Sequence, residues 1–352
     1  MDFDFTDVQA AWQEKGAALG REVAREALQR RSGRGPRRAR LRGGVLEHPE
    51  RQSRGAAAAE VVRSAARVGL LDSGAGLLAV AAAVEAMARE SSAGAVILAL
   101  HSGTALAVAG DDRFSSLFRG DVVAAVGLSS DAVPVEEGGR LSGRAPWVAP
   151  ITDRGVAVVG PRRGGERAAY AVALDAPGVT IELVGTAALT GLVCGHVTFT
   201  SAGCTPIGAT LPIMTRLRIL MAAAGLGMGR RALHEALTAA RAARTAAAGE
   251  QTVQGLLADS ATELDAAMLM TWKAAGAAAP TLADASLAKL MATGAAQRAV
   301  ERATQVVGAD SFQRGHIIER LAQDVRALEL FAGRTEALRA AVAEDRLPPG
   351  WP

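Results

Sequence analysis

The stretch Asp121–Pro150, "DVVAAVGLSSDAVPVEEGGRLSGRAPWVAP", decides how the chain is read. Short alternating or β-branched runs stand between glycines here, a period of two where the residues on either side keep a helical period. The same texture continues through "GVAVVG", "AYAVALD", "GVTIELV" and "HVTFTS". A small antiparallel β domain is therefore expected over residues 121–208.

Working outward, residues 6–30, "TDVQAAWQEKGAALGREVAREALQR", open with a Thr-Asp cap and carry Val8, Trp12, Ala18, Leu19 and Val23 at helical spacing. A helix is expected there, then a solvated linker over 31–54, where arginine, glycine and proline dominate. Residues 56–109 read as helix in two or three pieces. After Pro212 helices are expected over 213–244, 250–279, 281–307 and 315–344. The order is α, β, α. The fold class is α+β, with an N-terminal helical domain at 1–120, the β domain at 121–208 and a four-helix bundle at 209–352.

Composition bounds the function. The 39 basic and 36 acidic residues leave a formal charge of only +3, too balanced for a dedicated nucleic-acid binder. Most of the basic residues are arginine and alanine abounds, as a GC-rich coding sequence would give. The two cysteines, Cys194 and Cys204, are too few for a disulfide framework or a zinc site, and no metal is expected. Acids near the N-terminus stand where a signal peptide carries bases, and no long apolar run free of charges or breakers is seen. A cytoplasmic, reduced protein with no membrane partner is expected.

Several motifs then stand in a fixed order: "GRAPWVAP" from Gly143, "RILMAAAGLGMGRRAL" from Arg218, "QVVGADSF" from Gln305, "IIERLAQDVRALEL" from Ile317 and "FAGRTEALR" from Phe331. In order and spacing the whole chain resembles the acyl-CoA dehydrogenase family. That resemblance implies an acyl thioester, on coenzyme A or an acyl carrier protein, lying between FAD and a carboxylate that takes the α proton. It also implies homodimers or tetramers, or hetero-oligomers with a homologue.

The resemblance places Ala332 where the family keeps its glutamate, and a methyl group accepts no proton. Some members carry the base in a Glu-Arg pair on an earlier helix; here that pair reads Leu217-Arg218, and no Asp or Glu occurs between Ile207 and Arg231. Glu329 and Glu336, three before and four after Ala332, are possible substitutes on a continuous helix, or else ordinary surface carboxylates. Arg218, Phe331 and Gly333 would line the substrate pocket.

For the flavin, the resemblance assigns ring packing to Trp147, which on its own residue pattern is equally a core tryptophan. It assigns the diphosphate to one of Arg241 and Arg244, and to Gln305 and Gly308. Ala309 and Ser311 replace family glycines, and their Cβ atoms are expected to crowd the diphosphate. The family's flavin-covering loop is cut short, with only Ser129, Ser130 and Asp131 echoing it. His101 and His316 read as capped or surface histidines. Cys194 and His196 share one strand face but lack a third ligand, and "GLGMG" follows no strand, so it is not a nucleotide loop.

The expected function is that of a divergent family member acting on or binding an acyl thioester, in secondary metabolism or as a specialised subunit. Two alternatives remain open: a base-less partner subunit of a heteromeric dehydrogenase, and a repurposed enzyme of the same fold, a flavin monooxygenase or a non-redox acyl-chain enzyme.

Overall fold

The computed structural model of the chain describes residues 5–32, 41–42, 45–46, 51–128, 134–160, 162–163, 166–242 and 250–347. It opens with helices α1 (Asp7–Ser32), α2 (Arg51–Arg67), α3 (Gly76–Glu90) and α4 (Ser92–Ala105). Small residues set how closely these approach. A Cβ at Gly16 of α1 would lie 2.2 Å from the Ala83 carbonyl oxygen of α3, so glycine is what lets the two backbones touch. Ser91 ends α3 and caps α4, its hydroxyl accepting from the Gly94 amide at 3.3 Å.

The reading of 31–54 as linker needs correction where it is described. Strands β1 (Leu41–Arg42) and β2 (Val45–Leu46) form a short antiparallel ladder, and α2 already begins at Arg51. The Gly43-Gly44 pair between them in sequence is a hairpin composition that the surrounding arginines obscured. The remainder of that segment lies outside the described residues.

The nine further strands lie between Val123 and Ala209: β3 (Val123–Gly127), β4 (Val135–Glu137), β5 (Arg140–Val148), β6 (Gly155–Val159), β7 (Arg162–Arg163), β8 (Glu166–Ala173), β9 (Val179–Val184), β10 (Cys194–Gly203) and β11 (Thr205–Ala209). Their order is β3-β6-β8-β7-β4-β5-β10-β9, with β11 on β8. Most neighbours are antiparallel as expected, but β3 pairs with β6, and β4 with β7, in parallel. The β4–β5 hairpin inserted between β3 and β6 supplies the crossover that a parallel pair requires. Inward residues Leu141, Ala145, Val197 and Phe199 alternate with outward Arg144, His196 and Thr198.

The single-turn α5 (Ser115–Phe118) precedes the strands, and after them the chain returns to helix in α6 (Thr210–Ala242), α7 (Gln251–Gly276), α8 (Leu282–Val307), α9 (Ile317–Ala327) and α10 (Thr335–Arg346). Alanines 222, 223, 292, 295, 296 and 299 are all buried where α6 meets α8. Helix α6 is long and apolar enough to cross a membrane, yet 78% of its most apolar stretch is buried inside the fold. It is the central strut of the core.

A continuous helix over 315–344 is not what forms. Helix α9 stops at Ala327, a 3-10 turn covers Leu328–Leu330, and α10 starts only at Thr335. Between them Ala332 and Gly333 take φ of 57° and 110°, conformations a right-handed helix cannot contain.

Candidate functional site

The break at Phe331–Gly333 is where the site is built. Arg218, from the middle of α6, donates from Nε to the Ala332 carbonyl at 3.1 Å and from Nη1 to the Ser286 hydroxyl at 2.6 Å. Lys289, one turn along α8 from Ser286, donates to the Gly333 carbonyl at 2.6 Å and also to that of Phe331. All three carbonyl oxygens of the turn are thus held by two cations, Arg218 only 6% exposed and Lys289 1%. Burial first, and then the positive charge of Arg218, push Lys289 down to about 7; Glu329 opposes this. Burial likewise lowers Arg218.

With the carbonyls turned towards the cations, the amide N–H groups of Ala332 and Gly333 donate to no acceptor among the described residues. The residues of the turn are themselves partly exposed. The arrangement is a pinned turn offering N–H donors, with a methyl group as its side chain. A left-handed non-glycine residue is costly by about 1 kcal/mol or more, and the three carbonyl bonds over-determine it here.

The substitutes suggested for the missing base do not meet this turn as helix neighbours, because the continuous helix does not exist. Glu329 lies in the 3-10 turn, exposed, and accepts from Gln297 Nε2 at 3.1 Å. Glu336 is exposed in the first turn of α10. Leu217 is a buried core residue of α6. Arg218, Phe331, Ala332 and Gly333 do come together. Lys289 was not singled out from sequence, although a signal existed: it is one of three lysines in the chain and falls on the small-residue face Ala285, Ala288, Ala292 of α8.

The residues assigned to FAD divide into two groups. Trp147 is 47% exposed with φ of 54°, at a β-bulge where β5 meets β10. Its amide donates to His196 Nδ1 at 3.4 Å, and the two rings meet edge to face with centroids 5.7 Å apart. A core tryptophan is therefore excluded. A large apolar face held out by a strained backbone fits a flat ring.

Gln305 is exposed at the end of α8, and Gly308 follows with φ of 73° and open space where a Cβ would stand. Ser311 does not crowd that surface: its hydroxyl turns inward to the Gly308 carbonyl at 2.6 Å and its side chain is buried. Ala309 and Asp310 remain on the surface. Arg241 is exposed near the end of α6, while Arg244, Ser129, Ser130 and Asp131 lie outside the described residues. The described residues fit a flavin ring at Trp147 and a diphosphate approach at Gly308.

His101 corrects another expectation. It is fully buried, Nε2 bonded to the Leu117 carbonyl and Nδ1 to the Ala124 amide, both at 3.1 Å, so it ties α4 to β3. Burial holds its pKa down at about 4. His316 caps α9 by accepting from the Ile318 amide at 3.2 Å. Cys194 is buried and His196 belongs to Trp147; no group of three His, Cys, Asp or Glu suited to a metal occurs among the described residues. "GLGMG" is in mid-α6, where a Cβ on Gly227 would lie 2.1 Å from the Glu85 carbonyl oxygen. It is a helix-packing device.

Comparisons with known proteins agree with this fold. Residues 208–347 match the model of the acyl-CoA dehydrogenase C-terminal domain. A 3-sulfinopropanoyl-CoA desulfinase of Paraburkholderia xenovorans (strain LB400) is 38% identical over 95 residues, 26% of this chain and 24% of that protein. The chain thus matches about a quarter of that relative's length. In fold, butyryl-CoA dehydrogenase from Megasphaera elsdenii superposes with a TM-score of 0.80 at 17% identity, covering 99% of this chain and 100% of the other. PigA with FAD and proline superposes with a TM-score of 0.79 at 19% identity, covering 98% and 99%.

Proposed function

We propose that the chain, whose residues 208–347 match the acyl-CoA dehydrogenase C-terminal domain and whose fold is that of butyryl-CoA dehydrogenase, binds an acyl thioester against the turn Phe331–Gly333, with FAD on Trp147, and does not dehydrogenate ordinary fatty acyl groups. One observation carries this reading: the side chain of the pinned turn is the methyl of Ala332, while the turn itself is kept by Arg218 and Lys289. The scaffold that presents position 332 is intact, and the proton acceptor is gone. The thiol carrier is coenzyme A or an acyl carrier protein, and the setting is secondary metabolism.

When bound, FAD supplies a hydride acceptor. Trp147 would hold its ring from one side, with His196 fixing the indole, and Gln305, Gly308 and Arg241 would meet its diphosphate. The free amides of Ala332 and Gly333 would donate to the thioester oxygen, where negative charge gathers when the α carbon becomes carbanion-like. Without a base the gain in acidity goes unused, at a loss of roughly 10²- to 10⁴-fold in rate.

Purified protein should show flavin absorbance bands and release FAD on denaturation; a colourless protein from which no FAD is released would remove the cofactor from this reading. With butanoyl- and octanoyl-CoA the flavin should stay oxidised over minutes. Ala332→Glu should not restore rapid bleaching, because the covering loop is also shortened. Fast bleaching by the unaltered chain would overturn the proposal.

A second reading, as the base-less subunit of a hetero-oligomer, is favoured by Phe312 and Leu330, 76% and 61% exposed, apolar side chains that a second chain could cover. Mass in solution, alone and after coexpression with a glutamate-bearing homologue, separates the two.

A further inference from the structure

Trp147 is held by a bond that only one form of its partner can make. Where β5 pairs with β10, Gly195 faces Val148 and Val197 faces Ala145, so Pro146 and Trp147 together oppose the single residue His196. Such a bulge takes its extra residue out of the ladder. Pro146 has no N–H to place, and the Trp147 amide turns to the His196 side chain, donating to Nδ1 at 3.4 Å. The two rings lie edge to face with centroids 5.7 Å apart.

The conformation so held is one that tryptophan rarely adopts: φ is 54°, in the left-handed region, and the indole stands 47% exposed. A ring nitrogen that accepts must be unprotonated, with the hydrogen on Nε2, whereas both nitrogens of an imidazolium are donors. Protonation of His196 would therefore set one N–H against another. Attraction between an imidazolium and the indole would keep the rings together, yet leave the backbone amide without its acceptor. Glu182 of β9 stands opposite His196 in register, and its carboxylate accepts from Arg144 Nη2 of β5 at 3.2 Å, so the anion and the cation facing the ring answer each other. His196 itself is half-buried, within reach of solvent.

We propose that His196 is a positioning residue for the cofactor ring: its neutral imidazole keeps Trp147 turned outward, and its protonation loosens Trp147 and weakens flavin binding. This rests on the reading of Trp147 above as the support of the flavin ring and adds its control by pH.

The test follows the full chain, stripped of FAD, from pH 8 to pH 5, about the span in which imidazoles take up their proton. Trp147 emission, taken as the difference from Trp147→Phe, should change across that span. The Kd of added FAD, read from its fluorescence anisotropy, should rise about three- to tenfold, the effect of one net hydrogen bond. Both changes should vanish in His196→Gln, whose amide oxygen accepts at every pH in the span, and FAD should bind that variant as it binds the unaltered chain at pH 8. Acid unfolding would act on both chains alike, so it is told apart. His196→Asn, with a shorter acceptor, replaces His196→Gln if that variant fails to fold.

Constant emission, a constant Kd, or changes that persist in His196→Gln overturn the inference and leave the flavin reading standing. An emission change that is lost in His196→Gln, with no FAD bound at pH 8, supports the hold of His196 on Trp147 and removes the flavin. Constant emission with no FAD bound overturns both.

Discussion

Lys289 shows how much a single residue can decide. An ammonium inside an alanine-lined interface has lost its water and sits near a second cation, so its proton is loosely held, with a pKa of about 7 against 10.5 when unfolded. Between those two values the unfolded chain binds the extra proton and the folded one does not. Stability therefore rises with pH across that window, and the penalty of burying the charge is full below about 7. Chemical denaturation of the unaltered chain and of Lys289→Met should show their difference shifting in favour of the unaltered chain between pH 7 and 10. A constant difference would mean that Lys289 is not deprotonated in the fold. Nothing in the sequence states this pKa, because it arises from α6 and the turn closing over one side chain.

At the scale of elements, glycine has opposite meanings in two helices. Gly227 lies where α6 crosses α3, and a Cβ would strike the Glu85 carbonyl oxygen at 2.1 Å and the Ala88 methyl at 2.6 Å. Since a backbone atom cannot yield as a side chain does, Gly227→Ala should cost about 1–3 kcal/mol in urea unfolding. Gly255 of α7 is exposed with nothing within 4 Å of its Cβ position, and Gly255→Ala should stabilise by about 1 kcal/mol. The break after α9 belongs here as well. Apolar spacing through Leu328, Phe331 and Leu338 reads as one helix, and Gly333 alone does not forbid it. What ends the helix is the grip of Arg218 and Lys289, more than forty residues away in sequence, on three consecutive carbonyls.

At the scale of the whole molecule, Asp324 is one of the polar points that join the strand region to the helices. From α9 it accepts the Leu189 amide at 2.5 Å, ahead of β10, and it also bonds Ser92 at the start of α4. Burial raises its carboxyl above the ordinary range, and those two bonds partly offset the rise. Asp324→Ala leaves the buried Leu189 amide unsatisfied and should cost about 1–3 kcal/mol in thermal or urea unfolding. Asp324→Asn keeps an acceptor and should cost less. An equal loss in both variants would show that the charge, and not the hydrogen bond, is what matters.

The α, β, α order was readable in the chain itself, because hydrophobic period is a local property: two over β5 and β10, 3.6 over α6 and α8. The methyl at 332 was equally plain, being a matter of identity. The conformation of that residue, the cations behind it, the exposure of Trp147 and the inward turn of Ser311 were decided only by tertiary structure. Each depends on groups far apart in sequence that share one desolvated space, where a charge or a hydrogen bond must find its partner across the fold.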